Sequence, residues 1–313
     1  MKHERFLVHS RRGAYVALVV LTLIWGLNWI AMKFALQRAD PVVMNVQRIW
    51  LAVVVVFAIL LWQRRPFWPA SWIAVLVTGF FQTTVNMSAT SMAVASGEVG
   101  RVSVLVYTMP FWTLLIAWPV LHERVRGSQW IAVGSAFAGL VLVVEPWNWS
   151  GAIAPKLWAV LSGFGWATGT VCTKYFQRKH ALDPLNFIAW QMLVGVLPLT
   201  VLPFLMGLPS AQWSVTYALL LVYVAGISTA LGFLLWIAVL HYLPAGTASL
   251  NMFAIPVIAL VSSMVVFGER LTRLEWAGIA CIGAGLAIIS FNAWRASKRG
   301  EEQPPVPTPL DGG

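Results

Sequence analysis

Two stretches decide the reading: Pro110–Val144, PFWTLLIAWPVLHERVRGSQWIAVGSAFAGLVLVV, and Pro256–Ser290, PVIALVSSMVVFGERLTRLEWAGIACIGAGLAIIS. At a constant offset of 146 residues they share nine identities in 35 positions, including Pro110/Pro256, Glu123/Glu269, Arg124/Arg270, Trp130/Trp276 and Gly139/Gly285. Apolar helices resemble one another by chance in leucine, valine and alanine, but five of the nine matches are proline, charge, tryptophan and glycine. Further out, Trp25 precedes Lys33 by eight residues as Trp166 precedes Lys174, and Asp40-Pro41 recurs as Asp183-Pro184. The offsets of 141, 143 and 146 keep their order and differ as loop insertions would make them differ. The chain is an internal duplication.

Each copy is made of apolar runs close to the roughly 20 residues that cross about 30 Å of hydrocarbon. The first copy gives spans at 14–36, 41–62, 72–94, 101–121 and 129–146; the second gives 157–176, 185–206, 217–240, 246–267 and 275–294. The run from 14 is too long for the apolar part of a cleaved signal peptide, and similar runs follow it, so it is read as a retained span. With 59% hydrophobic and only 10% charged residues, against about 25% charged in a soluble domain, the chain cannot cover its exterior for water. The expected fold is therefore an all-α integral membrane protein with ten transmembrane helices. Its parts are a cytoplasmic N-terminus (1–13), a first five-helix repeat (14–146), a second (157–294) and a disordered cytoplasmic tail (295–313). Because five is odd, the second copy must enter the membrane from the opposite side, an inverted repeat about an axis in the membrane plane. Such a molecule has two near-equivalent conformations, one open to each side.

The net charge of +10 does not indicate a nucleic-acid surface, because the basic residues flank apolar runs. With the N-terminus inside, Arg64, Arg65, Arg124, Arg126, Arg178 and Lys179 join the terminal basic residues on the inner side; Arg38, Arg101, Lys156, Arg270 and Arg273 fall outside. The bias places both termini in the cytoplasm. Cys172 and Cys281 lie inside apolar runs without CxxC pairing and read as small hydrophobes.

The combination of Trp25-Gly26, Lys33, Pro41 and Arg48 with a Glu-Arg pair closing the fourth helix of each half (His122-Glu123-Arg124; Gly268-Glu269-Arg270) resembles the drug/metabolite transporter superfamily, EamA type. The resemblance spans roughly 14–294 and implies a ten-helix inner-membrane carrier, of a kind that commonly exports amino acids or other small metabolites. The chain departs from the pattern where His122 stands for the usual glycine and where Gln191 occupies the second-half position of Arg48.

Candidate substrate-binding residues come from polar and aromatic groups at membrane depth. Thr78, Gln82, Asn86 and Thr90 are spaced by four and should share one helix face; they line a cavity or bond to a neighbouring helix. Trp25 and Asn28, Trp166 and Thr170, with Tyr107, Ser228, Trp236 and Asn251, form a mixture suited to an amphipathic solute, although many of the 18 tryptophans, such as Trp62, Trp68 and Trp72, read as interfacial. Pro110 and Pro256 are hinge candidates. Arg48, two turns into its helix, is a buried charge with Glu98 as its candidate partner; Lys33 and Lys174 are expected to snorkel.

No acidic residue falls at a span centre, where a proton relay would place one. The absence of a GxxxxGK[ST] loop argues against an ATP-driven pump. The absence of HExxH and Cys/His clusters leaves no metal or cofactor to expect. The leading expectation is a secondary carrier partnered by a small-molecule substrate and the lipid bilayer. An intramembrane transferase and a non-transporting subunit or sensor are the alternatives, and a homodimer is left open.

Overall fold

The computed structural model describes residues 10–122, 127–145, 153–242 and 254–298, and every regular element among them is a helix. In chain order these are α1 (Arg11–Ala35), α2 (Pro41–Trp62), α3 (Trp72–Thr78, π-helical Gly79–Val85, Asn86–Ser96), α4a (Val99–Val106) and α4b (Met109–Leu121), α5 (Ser128–Val144), α6 (Ile153–Gln177), α7 (Pro184–Leu205), α8 (Val215–Leu221, π-helical Val222–Leu231, Gly232–Tyr242), α9 (Ala254–Phe267) and α10 (Arg273–Lys298). Five stretches are long and apolar enough to cross a bilayer: Arg12–Ala35, Pro41–Trp62, Val99–Leu121, Pro184–Leu205 and Val215–Trp236. Ser128–Val144 and Ala254–Phe267 are shorter apolar helices.

The duplication is visible in how the helices begin. The repeated Asp-Pro is an N-cap followed by a proline whose missing N–H is not needed in the first turn. Asp40 accepts from the Val42 amide at 2.8 Å, and Asp183 from the Asn186 amide at 2.9 Å. Ser71 and Ser214, also 143 apart, cap α3 and α8 by accepting from the amides of Ala74 and Tyr217. The π-helical segments begin at Gly79 and Val222, again 143 apart.

Packing obeys the same two-fold relation. Helix α1 packs on α8 and α9, while its counterpart α6 packs on α3 and α4. Helix α2 meets the π segment of α8, and α7 meets that of α3; α2–α7 and α5–α10 pair equivalent elements directly. This reciprocity is the mark of a two-fold relation, and it interlaces the halves rather than setting them side by side. At α5–α10 the backbones touch: a Cβ on Gly139 would strike the Gly278 carbonyl, and one on Gly285 the carbonyl of Ala132, the counterpart of Gly278. Small residues are how membrane helices approach this closely. On the exterior, Val54 (61%), Phe204 (84%) and Val265 (80%) are among many exposed apolar side chains, a surface matched to lipid.

Several expectations are corrected. The span at 101–121, apolar over Val99–Leu121, is made of two helices, because Pro110 has no N–H for the Val106 carbonyl and the ladder is interrupted there. Thr108 bonds back to the Leu105 carbonyl at 2.6 Å in the gap. Pro110 therefore begins α4b instead of kinking a continuous helix, and Pro256 lies in the first turn of the described α9. The last helix runs to Lys298, past the boundary at 294, and residues 299–313 lie outside the described region. His122 and Gly268 both adopt left-handed conformations, with φ of 56° and 65°; the histidine performs the glycine's helix-ending role at some cost in strain.

Candidate functional site

The two halves enclose a cavity of about 120 Å³, lined by Trp25, Asn28, Trp29, Arg48, Asn86, Met87, Thr90, Val106, Tyr107, Met109, Trp166, Ser228 and Phe233. Three of these, Val106, Tyr107 and Met109, flank the break in α4, which lies against α6 at Gly163, where a Cβ would come within 2.8 Å of the Val106 carbonyl. The equivalent tryptophans of the repeat, Trp25 and Trp166, stand on either side of Phe233, with ring centroids 6.3 and 6.0 Å away. Trp25 also donates its indole N–H to the Ser228 carbonyl in the π segment of α8 at 3.0 Å. Asn86 donates to the Ser162 carbonyl and hydroxyl, both at 2.9 Å, and Thr90 shares a 2.6 Å bond with the same hydroxyl.

Of the sequence-derived candidates, Trp25, Asn28, Asn86, Tyr107, Trp166, Ser228 and Arg48 therefore surround one cavity. Thr78, Gln82, Thr170 and Trp236 do not line it. Thr78 bonds within its own helix to the Ala74 carbonyl, and Thr170 to that of Trp166. Gln82 packs against Gly169, and Trp236 lies tilted beside Trp25 with ring centroids 6.2 Å apart. The spacing-of-four stripe divides because the π-helical turn between Thr78 and Asn86 changes the angular step per residue, so the two ends no longer share a face. Asn251 lies outside the described residues. Sequence reasoning missed Trp29, Met87, Val106, Met109 and Phe233, whose residue types are those of any apolar core.

Arg48 does not pair with Glu98. It is 8% exposed, donates from Nε to the Thr229 hydroxyl at 2.9 Å and from Nη1 to the Met32 sulfur at 3.3 Å. Thr229 donates its own hydroxyl hydrogen bond to the Val224 carbonyl at 2.7 Å, five residues back in the π segment. Glu98 instead pairs with Arg101 at 3.2 Å, its side chain 42% exposed.

The EamA-like transporter family model matches the chain twice, over residues 12–145 and 154–291. The chain belongs to this family. Among its relatives are the "Uncharacterized transporter YoaV" of Bacillus subtilis, 26% identical over 88% of this chain and 96% of the relative, and proteins named "Probable amino-acid metabolite efflux pump" from Salmonella typhimurium (28%; 90% and 96%) and Escherichia coli (26%; 91% and 97%). A solved crystal structure with 17% identity superimposes with a TM-score of 0.64 over 91% of this chain and 99% of that one, which establishes the shared fold. The protein is thus an integral membrane transporter of a small-molecule substrate and not an enzyme.

This EamA-like transporter carries a polar cluster where the turn between α3 and α4a meets the α9–α10 connection. Glu269, from the repeated Glu-Arg, accepts from the amides of Val99 (2.6 Å) and Gly100 (2.8 Å), placing a carboxylate on the start of α4a, where both the free amides and the helix dipole favour it. Lys33 does not snorkel outward. Its ammonium caps the end of α3, donating to the carbonyls of Val94, Ala95 and Gly97 at 2.8–3.2 Å. Arg101 adds a 2.5 Å ion pair to Glu275, itself in a reciprocal capping box with Thr272. Burial pushes the Glu98 carboxyl above the usual carboxylate range; Arg101 opposes this, and Glu269 and Glu275 add to it. The first-half counterpart of this latch, Glu123-Arg124, lies outside the described residues.

Proposed function

We propose that the protein is a secondary carrier of the inner membrane, with ten spans in two inverted five-helix repeats and both termini cytoplasmic. In this reading it exports amino acids or related small metabolites by alternating access through the central cavity. The observation that carries the reading is the cavity itself: it is bounded by both repeats and by the interrupted helix α4. Discontinuous helices at the repeat interface are where such carriers hold their solutes. The polar latch at one end joins the halves through contacts that must part for the cavity to open there. The names of the Salmonella and Escherichia relatives support amino-acid metabolites as the cargo.

The test is counterflow in proteoliposomes. Vesicles preloaded with single amino acids should accelerate entry of the same labelled compound only when the protein is present. A panel of twenty amino acids and common metabolites without any accelerated exchange defeats the carrier reading. A periplasm-active reporter fused to the C-terminus should stay silent, and strong activity overturns the topology.

A further inference from the structure

Arg48 brings a charge into the cavity that no ion pair among the described residues neutralises. The three ion pairs among the described residues are Arg65–Asp183, Glu98–Arg101 and Arg101–Glu275, and none involves Arg48. Among the described residues, no acidic one lines the cavity. A guanidinium has five N–H donors and does not lose its proton in proteins; among the described residues only Thr229 and the weakly accepting Met32 sulfur take bonds from it. A buried, unpaired charge is costly to keep, so its retention calls for a partner that arrives from outside.

The repeat itself supplies a comparison. The position equivalent to Arg48 in α7 is Gln191, 143 residues on, and it is as buried, at 2% exposure. Thr229, the anchor of Arg48, is equivalent to Asn86, which bonds to Ser162 instead. A neutral amide fills this place in the other half, its Oε1 without a hydrogen-bond partner among the described residues, and the cation in α2 is an addition. A second observation bears on what the cavity receives. Asn28 lines the same cavity, and its buried Oδ1 has no hydrogen-bond partner among the described residues. Indole, phenyl and thioether groups make up most of the rest.

We propose that the cavity recognises a solute by its carboxylate, which Arg48 receives, with an N–H donor of the solute directed to Asn28 and an apolar side chain among the aromatic groups. The chemistry is that of a free apolar α-amino acid, and it disfavours amines that lack a carboxylate. The assignment deepens the carrier reading and rests on the cavity being the transported solute's site. The Arg48 anchor fixes polarity: a solute seated this way has one orientation across the pseudo-two-fold.

The experiment uses the full chain in detergent and four related probes: leucine, 4-methylpentanoate, leucinamide and 3-methylbutylamine. Binding is read by quenching of the cavity tryptophans and by protection against thermal unfolding, and exchange is read separately in proteoliposomes. Leucine should bind tightest and 4-methylpentanoate measurably, while the two probes without a carboxylate should bind about ten- to a hundredfold more weakly, the scale of one charge-assisted interaction. Arg48→Gln should level leucine and leucinamide, and Arg48→Lys should keep the preference at reduced affinity. The four-probe series needs no variant, so a variant that fails to fold does not blunt the test. Equal binding of leucine and leucinamide by the native protein, or a carboxylate preference that survives Arg48→Gln, overturns the assignment while leaving the carrier reading intact. Carboxylate-dependent binding that Arg48→Gln abolishes upholds Arg48 as the receptor, and if the full panel then shows no exchange the carrier reading fails by itself.

Discussion

Glu269→Gln is the substitution whose consequence follows most directly from the geometry. The carboxylate holds two backbone donors at the start of α4a, at 2.6 and 2.8 Å. Glutamine keeps one acceptor oxygen and turns an NH2 group toward the other donor. The variant therefore loses one charge-assisted bond, worth about 1.5–3 kcal/mol, and the screened attraction to the helix start, worth about 0.3–1 kcal/mol. At 1.4 kcal/mol per decade, the equilibrium at this end shifts toward the open form by roughly twentyfold or more. The assay places a single reporter, Thr90→Cys, in a background with Cys172 and Cys281 replaced by alanine. Labelling by a membrane-impermeant thiol reagent is then timed in intact cells. Glu269→Gln should label several-fold faster than the parent, and Glu269→Asp, which keeps the charge, should lie between them. Equal labelling rates at equal thermal stability would show that this contact does not hold the cavity shut.

Asn86→Ala removes two donors to Ser162 on the cavity wall and should raise the KM for counterflow several-fold, while Gln82→Ala, against Gly169 and outside the wall, should leave KM near the parent value; the reverse ranking refutes the placement of the stripe. Gly139→Leu drives a side chain into the Gly278 backbone, and such overpacking costs about 1–3 kcal/mol or more, so the yield of monodisperse protein in size-exclusion chromatography should fall sharply while the surface change Val265→Leu does not affect it. For Glu98, burial raises the folded-state pKa above the unfolded one. Its contribution to stability is then fully present below the usual carboxylate range and is lost as pH rises through the raised value. Thermal melts of Glu98→Gln across that range should be flatter with pH than those of the parent, and parallel curves would contradict the sign.

The sequence by itself determined the helical, lipid-facing character of the chain and its duplication, because both are written in composition and in residues whose roles are local. An Asp-Pro pair starts a helix wherever it stands, a proline removes one N–H wherever it stands, and Glu-Arg matched at offset 146 needs no tertiary information to be noticed. Arg48 was also legible as exceptional, since a charge that deep in an apolar run has to be accounted for. What only the tertiary structure decided is which polar groups meet. Glu98 and Arg48 looked like partners at similar depth, yet Arg48 turns to Thr229 on α8 and Glu98 to Arg101. The stripe on α3 looked continuous because a 3.6-residue period was assumed, and a π-helical turn between Thr78 and Asn86 breaks the phase. Glu269 reads in sequence as half of a repeated motif; its use as a cap on a helix 170 residues earlier appears only once the halves interlace. Met87, Met109 and Phe233 carry no signal distinguishing cavity wall from lipid-facing or core surface, because an apolar side chain serves all three. Only the packing of one repeat against the other settles which of them it serves.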